Sequence, residues 1–503
     1  GSVRTDDLYY RLDGRIKHLL LDEFQDTSRA QFEMLRPLLD EKFSRGEGER
    51  VFIVGDTKQS LYGWRQAEPG IMHGLPDRYP GLDRIPLQVS FRSSPVVLGA
   101  VNTVFDRCGG VLVERGGGAL VRFAGAFPAH EAARGNSRLP GRVVLREYAV
   151  DDSEPGPAGE EADGLRAMSE AAADAVRRIR EASPHASIGV LTRRNAPIAS
   201  LLHRIGGEVV NGKPIAVAGE RGVPFGDIPA TAAVLSVLHL MDHPGDGVAA
   251  YHAAVSPLGR ALGLAWRYTS KGVEPGSLDA ALRPLRYLLA DHGLPAVVSR
   301  LCELARREAC GDAAWALDRL VAASIRLPET SRVQAGLAAA ALEQREADSG
   351  AQALCRVMTV HQAKGLEFDA VVLVDLDSSW SVDANTPVVR RAAPFAAPDA
   401  ATLYPKKDLI GLHKRLREVC EAADDEAVEA NLCALYVAMT RARRWLEMLV
   451  PPAPRNPTAL KASRLLRETL ADPTGRDDGL LHLSGVSEAE AVSGITPVES
   501  AEG

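Results

Sequence analysis

The chain has 503 residues, enough to bury several hydrophobic cores and to form about two to four domains. Charged residues make up 25% and hydrophobic residues 46%; the net charge of −7 excludes a uniformly basic surface but leaves room for a local basic groove among 59 Lys and Arg. Six scattered cysteines without C-x-x-C spacing argue against a zinc or iron–sulfur site and for reduced thiols. With no apolar run of membrane-spanning length and no signal-peptide pattern at the N-terminus, a cytoplasmic protein with no membrane partner is expected.

In chain order, residues 8–20 (LYYRLDGRIKHLL) lead into Lys17–Thr27, KHLLLDEFQDT. The apolar run Leu19-Leu20-Leu21 stops at Asp22-Glu23. This predicts a buried parallel strand that delivers two acids to the carboxyl edge of a sheet, where open α/β folds bind ligands. One acid there can hold a hard divalent cation and the other can orient or deprotonate a water. Taken alone, the same pattern fits a strand running out into solvent. Phe32, Leu35, Leu38 and Leu39 then fall at helical spacing, and Arg50–Asp56 (RVFIVGD) is a second strand pattern, which completes a βαβ unit.

The loop over residues 57–70 (TKQSLYGWRQAEPG) follows that strand. Gln59 can both donate and accept near a phosphate, and Tyr62 and Trp64 beside Arg65 suit the stacking of unpaired bases. An isolated Y-G-W fits core packing equally well. Arg92 sits at a strand-to-helix junction in LQVSFRSS, where a guanidinium can reach an anion or make a surface ion pair. From Cys108 to about Gly164, Gly, Pro and charge predict loops around one strand, Arg142–Tyr148. Residues 165–182 read as helix and Ser187–Leu191 as strand. Residues 225–345 read as Ala/Leu helices in which Trp266, Trp315 and Tyr287 are taken as core. Residues 356–376 hold two strands around a polar loop, and Leu432–Val450 runs from helix to strand. The acidic run EAADDEAVEA before it reads as a solvated face, and the tail beyond Pro451 as partly disordered.

Together, DEFQDT (22–27), VGDTKQSLYGWR (54–65), SFRSS (90–94), VMTVHQAKGLEF (357–368) and LYVAMTRAR (435–443) resemble, in order, motifs II to VI of superfamily 1 helicases of the UvrD/Rep type. The Lys in GDTKQS and the lead-in YYRLDGRIKHLL are more similar to the RecB/AddA helicase–nuclease branch, whereas YGWR is UvrD-like. The resemblance implies an α/β fold of two RecA-like parallel-sheet domains, the first incomplete, with a mostly helical insertion in the second. The expected boundaries are 1–86 for the first domain, 87–224 and 351–452 for the second, 225–350 for the insertion and 453–503 for the tail.

The resemblance also implies roles. Asp22 would bind Mg²⁺, Glu23 would act as base or water-positioner in ATP hydrolysis, and Gln59 would couple the γ-phosphate to DNA. Arg92 and Arg441 would be arginine fingers, and Glu367 would contact the ribose, with Gly365 beside it in the nucleotide site. Tyr62, Trp64 and Arg65 would meet DNA bases, and Thr359 and His361 the DNA backbone. The implied activity is that of an ATP-dependent 3′→5′ DNA helicase or translocase of repair or recombination, including double-strand-break processing, acting on single-stranded and duplex DNA. An AddB/RecC-like subunit is a possible partner. The alternative is a non-catalytic DNA-binding or scaffolding subunit of a helicase–nuclease complex.

The pattern departs from the family in three places. No G-x-x-x-x-G-K-[ST] loop occurs, and the single Gly-Lys pair, Gly212-Lys213, precedes Pro214. The segment before motif VI is Glu429-Ala430-Asn431-Leu432-Cys433-Ala434, where the family often has acidic and arginine residues. About fifty residues follow Val450, too few for a nuclease domain. The sequence is therefore read as a fragment of a longer helicase, or else as a polypeptide that has shed ATPase function or is completed by another chain. Without the backbone N–H cradle and its lysine, this 503-residue chain is expected to hydrolyse ATP poorly. A steady-state assay checks this, and DNA-stimulated turnover at ordinary family rates would overturn it.

Overall fold

The computed structural model describes residues 16–45, 50–63, 67–113, 115–150, 160–219, 223–264, 277–308, 314–327, 334–343, 346–347, 353–393, 395–454, 459–472 and 479–496. By compactness the chain divides into two units, Gly1–Pro155 with Thr359–Gly503, and Gly156–Met358.

The first unit opens with strand β1 (His18–Leu21), helix α1 (Arg29–Arg45) and strand β2 (Arg50–Ile53), the βαβ arrangement that the pattern predicts. The strands pair in parallel from His18↔Arg50 to Leu21↔Ile53. Helix α1 starts at a reciprocal cap: Ser28 N–H donates to Gln31 Oε1, and Gln31 N–H donates to Ser28 Oγ. Its apolar face places Phe32 and Leu39 in a core with Phe24, Ile71, Leu75 and Tyr79, against which Leu19, Leu21, Val51 and Ile53 pack. The expectation that β1 is buried on both faces is corrected. Leu20 is 72% and Phe52 58% exposed, because among the described residues this core covers the alternate positions only.

Next come helix α2 (Pro95–Arg107), helix α3 (Gly117–Ala126) and strand β3 (Arg142–Glu147). Ser94 caps α2 by accepting from Val97 N–H, with Pro95 in the first turn. Helix α3 lies in the stretch that the composition assigns to loops. Ala119 and Leu120 are buried there, and tertiary packing overrides the low helix propensity of Gly117 and Gly118. After Thr359 follow strand β4 (Phe368–Leu373), helix α4 (Lys414–Met439), strand β5 (Ala442–Val450), helix α5 (Ala462–Leu470) and strand β6 (Leu480–Gly485). Strands β4, β5 and β3 run parallel in that spatial order, and β6 adds antiparallel to the outer side of β3. The tail expected to be partly disordered thus contributes a helix and an edge strand. The acidic run before motif VI lies on α4 and is not wholly solvated: Asp424 is 4% exposed and accepts from the Tyr404 hydroxyl.

In the second unit, helix Glu160–Ala182 precedes strand Ile188–Thr192, and Val217–Gly219 pairs in parallel with Cys355–Val357. Helices Pro229–Asp242, Gly247–Val255, Ser277–His292, Leu294–Glu308, Ala314–Ile325 and Ala335–Glu343 enclose a core that includes Val234, Leu238, Leu282, Leu301, Leu317 and Leu342. Tyr287, expected in that core, is 66% exposed because its helix turns that position outward. Trp266 and the Trp315 side chain lie outside the described residues. The fold is α/β with parallel sheets, as in RecA-like helicase domains. No helix among the described residues is long and apolar enough to cross a membrane.

Candidate functional site

The carboxyl ends of β1 and β2 lie side by side. Val54 N–H donates to Leu21 O and Phe24 N–H to Val54 O, so the ladder continues one step past both strands. The chain then turns sharply at Glu23, whose φ of 50° and ψ of 38° are left-handed, while Asp22 Oδ1 accepts from the Glu23 amide. A non-glycine residue held this way marks a constrained turn, and here it splays two consecutive carboxylates at a sheet edge.

Gln25, 1% exposed, braces the two strand ends. Its Nε2 donates to Glu23 Oε2 and its Oε1 accepts from the Asp56 amide. A Cβ on Gly55 would come within 2.6 Å of Gln25 Oε1, so this brace requires glycine at that position. Asp56 in turn caps the turn Thr57–Gln59: it accepts from Lys58 N–H, pairs with Lys58 Nζ at 2.7 Å, and receives the Gln59 side-chain amide at 3.0 Å.

The loop after Thr359 brings Lys364 onto the acids. Lys364 is 8% exposed at its side chain, with Nζ 3.0 Å from Glu23 Oε2 and bonded to Asp26 Oδ2. Burial raises the Asp26 carboxyl above the usual carboxylate range, and Lys364 opposes that rise. The Lys364 ammonium also lies 5.4 Å from the Tyr62 ring centroid, close enough for a cation–π contact. The turn itself is set by Thr359, 7% exposed, whose N–H and Oγ1 both meet Gln362 Oε1. Its hydroxyl is thus engaged within the loop. His361 is half-buried, and Gly365 takes a left-handed φ of 84°.

A cationic group faces this edge. Arg92 Nε donates to Glu367 Oε2 at 3.0 Å and Arg92 Nη1 to Thr440 O at 3.4 Å. Arg443 lies 3.8 Å from Glu367 and 3.7 Å from Asp369. Arg441 is 1% exposed and donates to Val437 O, Leu366 O and Thr440 Oγ1. Burial, and next the like charge of Arg92, pull its guanidinium down to about 10. In this conformation Arg441 braces the backbone rather than projecting toward a ligand.

Trp64 and Arg65 lie outside the described residues. Among the other residues singled out in the sequence, Glu23 is brought to Lys364, Arg92 to Glu367, and Gln59 to Asp56. Gln25 and Lys364 carry no role in the sequence reading, although both lie inside its motifs, DEFQDT and HQAKGLEF. Their periodicity gives no signal, since their roles depend on contacts across the fold. Asp22 is exposed, and the described residues contain no cluster of three or more metal-ligating side chains. One exposed carboxylate fits a Mg²⁺ whose remaining ligands are waters and phosphate oxygens.

Residues 3–80 match the UvrD/REP helicase N-terminal domain, and residues 322–450 match the UvrD-like helicase C-terminal domain. The ATP-dependent DNA helicase Rep of Salmonella typhimurium is 34% identical over 158 residues, which cover 29% of this chain and 23% of that protein. DNA helicase II of Escherichia coli is 36% identical over 98 residues, covering 20% of this chain and 13% of the relative. An ATP-dependent helicase/nuclease subunit of Geobacillus thermodenitrificans is 26% identical over 523 aligned residues, covering 89% of this chain and 40% of the relative. The chain therefore spans less than half the length of each of these relatives.

Replacing Lys364 with Met should cost about 1–3 kcal/mol in urea denaturation, because it leaves the desolvated Asp26 carboxylate without its cation. Adding Asp26→Asn to Lys364→Met should recover most of that loss; an additive double variant would show that the pair does not interact. Residues 3–80 and 322–450 are thus similar to the N-terminal and C-terminal domains of UvrD-like helicases.

Proposed function

We propose that the chain is the motor portion of an ATP-dependent 3′→5′ DNA helicase or translocase of repair or recombination. The observation that carries this reading is that one loop, residues 360–367, meets both sets of groups: its Lys364 pairs with the acids after β1 and its Glu367 pairs with Arg92. Phosphoryl transfer needs this set: a carboxylate for the metal, a second for the attacking water, and cations for charge on the transferring group.

In this reading Asp22 holds Mg²⁺ and Glu23 orients or deprotonates the water. Gln59 senses the γ-phosphate. Arg92 and Arg441 supply the positive charge, Arg441 after its guanidinium leaves its carbonyl partners. Glu367 and Gly365 border the nucleotide, while Tyr62, Trp64, Arg65, Thr359 and His361 form the DNA track. ATP and Mg²⁺ are the cofactors. The domain scheme set out from the sequence, with RecA-like segments at 1–86, 87–224 and 351–452, belongs to the same proposal. In favour of the RecB/AddA branch is the extent of the match to the Geobacillus helicase/nuclease protein, 89% of this chain against 29% for Rep; a role in double-strand-break processing and an AddB/RecC-like partner belong to the same proposal.

In the full-length protein, Glu23→Gln should abolish ATP hydrolysis and unwinding while leaving single-strand binding intact. Trp64→Ala should instead weaken that binding by about 1–3 kcal/mol for each base stack lost. Anisotropy with a labelled oligothymidylate and a strand-displacement assay read the two effects. Unwinding by Glu23→Gln would remove Glu23 from its role, and unchanged DNA affinity in Trp64→Ala would remove Trp64 from its own.

A further inference from the structure

We propose that His130 is a positioning residue for the Asp56–Gln59 turn, acting through Tyr436; its catalytic consequence rests on the helicase reading above. His130 belongs to none of the five motifs and lies in a stretch that the sequence presents as loop. Its backbone is clasped on both sides by one side chain: Asn102 Nδ2 donates to His130 O and His130 N–H donates to Asn102 Oδ1, each at 2.9 Å. The imidazole packs edge-on against Phe127, with ring centroids 5.1 Å apart. With the backbone and ring so held, the imidazole Nε2 lies 2.9 Å from the Tyr436 hydroxyl.

Tyr436 lies on α4 one turn after Cys433, and this helix face touches the turn that carries Gln59. Cys433 Sγ donates to Thr57 O, and the Lys58 ammonium lies 5.6 Å from the Tyr436 ring centroid. Lys58 is paired with Asp56 at 2.7 Å, and Asp56 holds the Gln59 amide at 3.0 Å. The path from His130 to Gln59 is therefore a chain of direct contacts: imidazole, tyrosine, ammonium, carboxylate, amide. Burial, and then Lys58, lower the basicity of His130, so the ring is neutral near pH 7. Burial likewise keeps the Tyr436 hydroxyl protonated. Both groups thus stay uncharged beside Lys58.

Tyrosine and histidine together set where the ammonium sits, and the ammonium sets Asp56. Losing the hydroxyl or the imidazole frees the turn while Asp22 and Glu23 keep their own contacts.

Hydrogen–deuterium exchange on the 503-residue chain tests it directly. His130→Ala and Tyr436→Phe should each speed exchange in the peptide over residues 57–60 by about fivefold to tenfold, the effect of one lost hydrogen bond. The double variant should be no faster than either single one, and His130→Gln, which keeps a donor near the Nε2 position, should restore protection. In the full-length protein the same variants should lower kcat for ATP by a similar factor while leaving KM for ATP and single-strand affinity unchanged. Unchanged exchange at 57–60, additive effects, or failure of His130→Gln to restore protection would overturn the proposal. A wild-type protein with no DNA-stimulated ATP turnover would overturn the helicase reading instead, and exchange would still decide the tether.

Discussion

The site depends first on a desolvated lysine. Lys364 is 338 residues from Asp26 in sequence, yet its side chain is 8% exposed and its ammonium sits between Asp26 and Glu23. Removing an ammonium from water costs several kcal/mol unless opposite charge and hydrogen bonds replace the lost hydration. Two carboxylates and the face of Tyr62 provide that replacement. The contact therefore exists only when the β1 edge and the loop after Thr359 are in register with each other. Glu23 contributes from a left-handed backbone, which costs a non-glycine residue about 1–2 kcal/mol. The Asp22 carboxylate, accepting from the Glu23 amide, stabilises that turn.

The arginine side of the site has the opposite imbalance. Arg92, Arg441 and Arg443 crowd one region in which Glu367 and Asp369 are the neighbouring acids. Like charge from Arg92 lowers the basicity of Arg441, so repulsion is already present between them. An anionic group placed between these guanidiniums would relieve that repulsion and compete with Glu367 for Arg92. Burial strengthens the preference, because charges interact more strongly where water is excluded. One lysine pairs with Glu23 and Asp26 while Asp22 stays exposed, whereas the basic edge gains from a further anion. The proposed metal-bound polyphosphate would meet both needs.

Much of the strand-and-helix order was legible because apolar runs and helical spacing report directly on burial. What was not legible depended on partners distant in sequence. Helix α3 begins after Gly116, with Gly117 and Gly118 in its first turn, a composition that reads as loop. Its φ of 72° and a Cβ position 2.4 Å from Val428 Cγ2 make glycine necessary at 116, while Leu120 at 0% exposure supplies the packing. Asp424 lies in an acidic run whose members look alike in sequence. It alone receives both a Tyr404 hydroxyl, from twenty residues earlier, and the nearby Arg115. At β1 the error ran the other way: three consecutive leucines state hydrophobicity but not which faces are covered. The candidate site divides likewise. Its acids and arginines stand out by type and spacing, but Gln25, Lys364 and His130 are ordinary residues until the fold gives them partners.

Gln25 shows how little tolerance the acidic edge has. One buried amide serves both strand ends, donating to Glu23 and accepting from the Asp56 backbone, so the two turns cannot shift independently. Gln25 is 1% exposed, so water does not compete for either contact. Gly55 is fixed by the same packing, since any side chain there would collide with the Gln25 oxygen and the Met72 sulfur. A methyl group at residue 55 would thus disturb the acid at 23 and the amide at 59 together, although it touches neither. The positions of the carboxylate and of Gln59 are one structural variable, and the buried glutamine sets it.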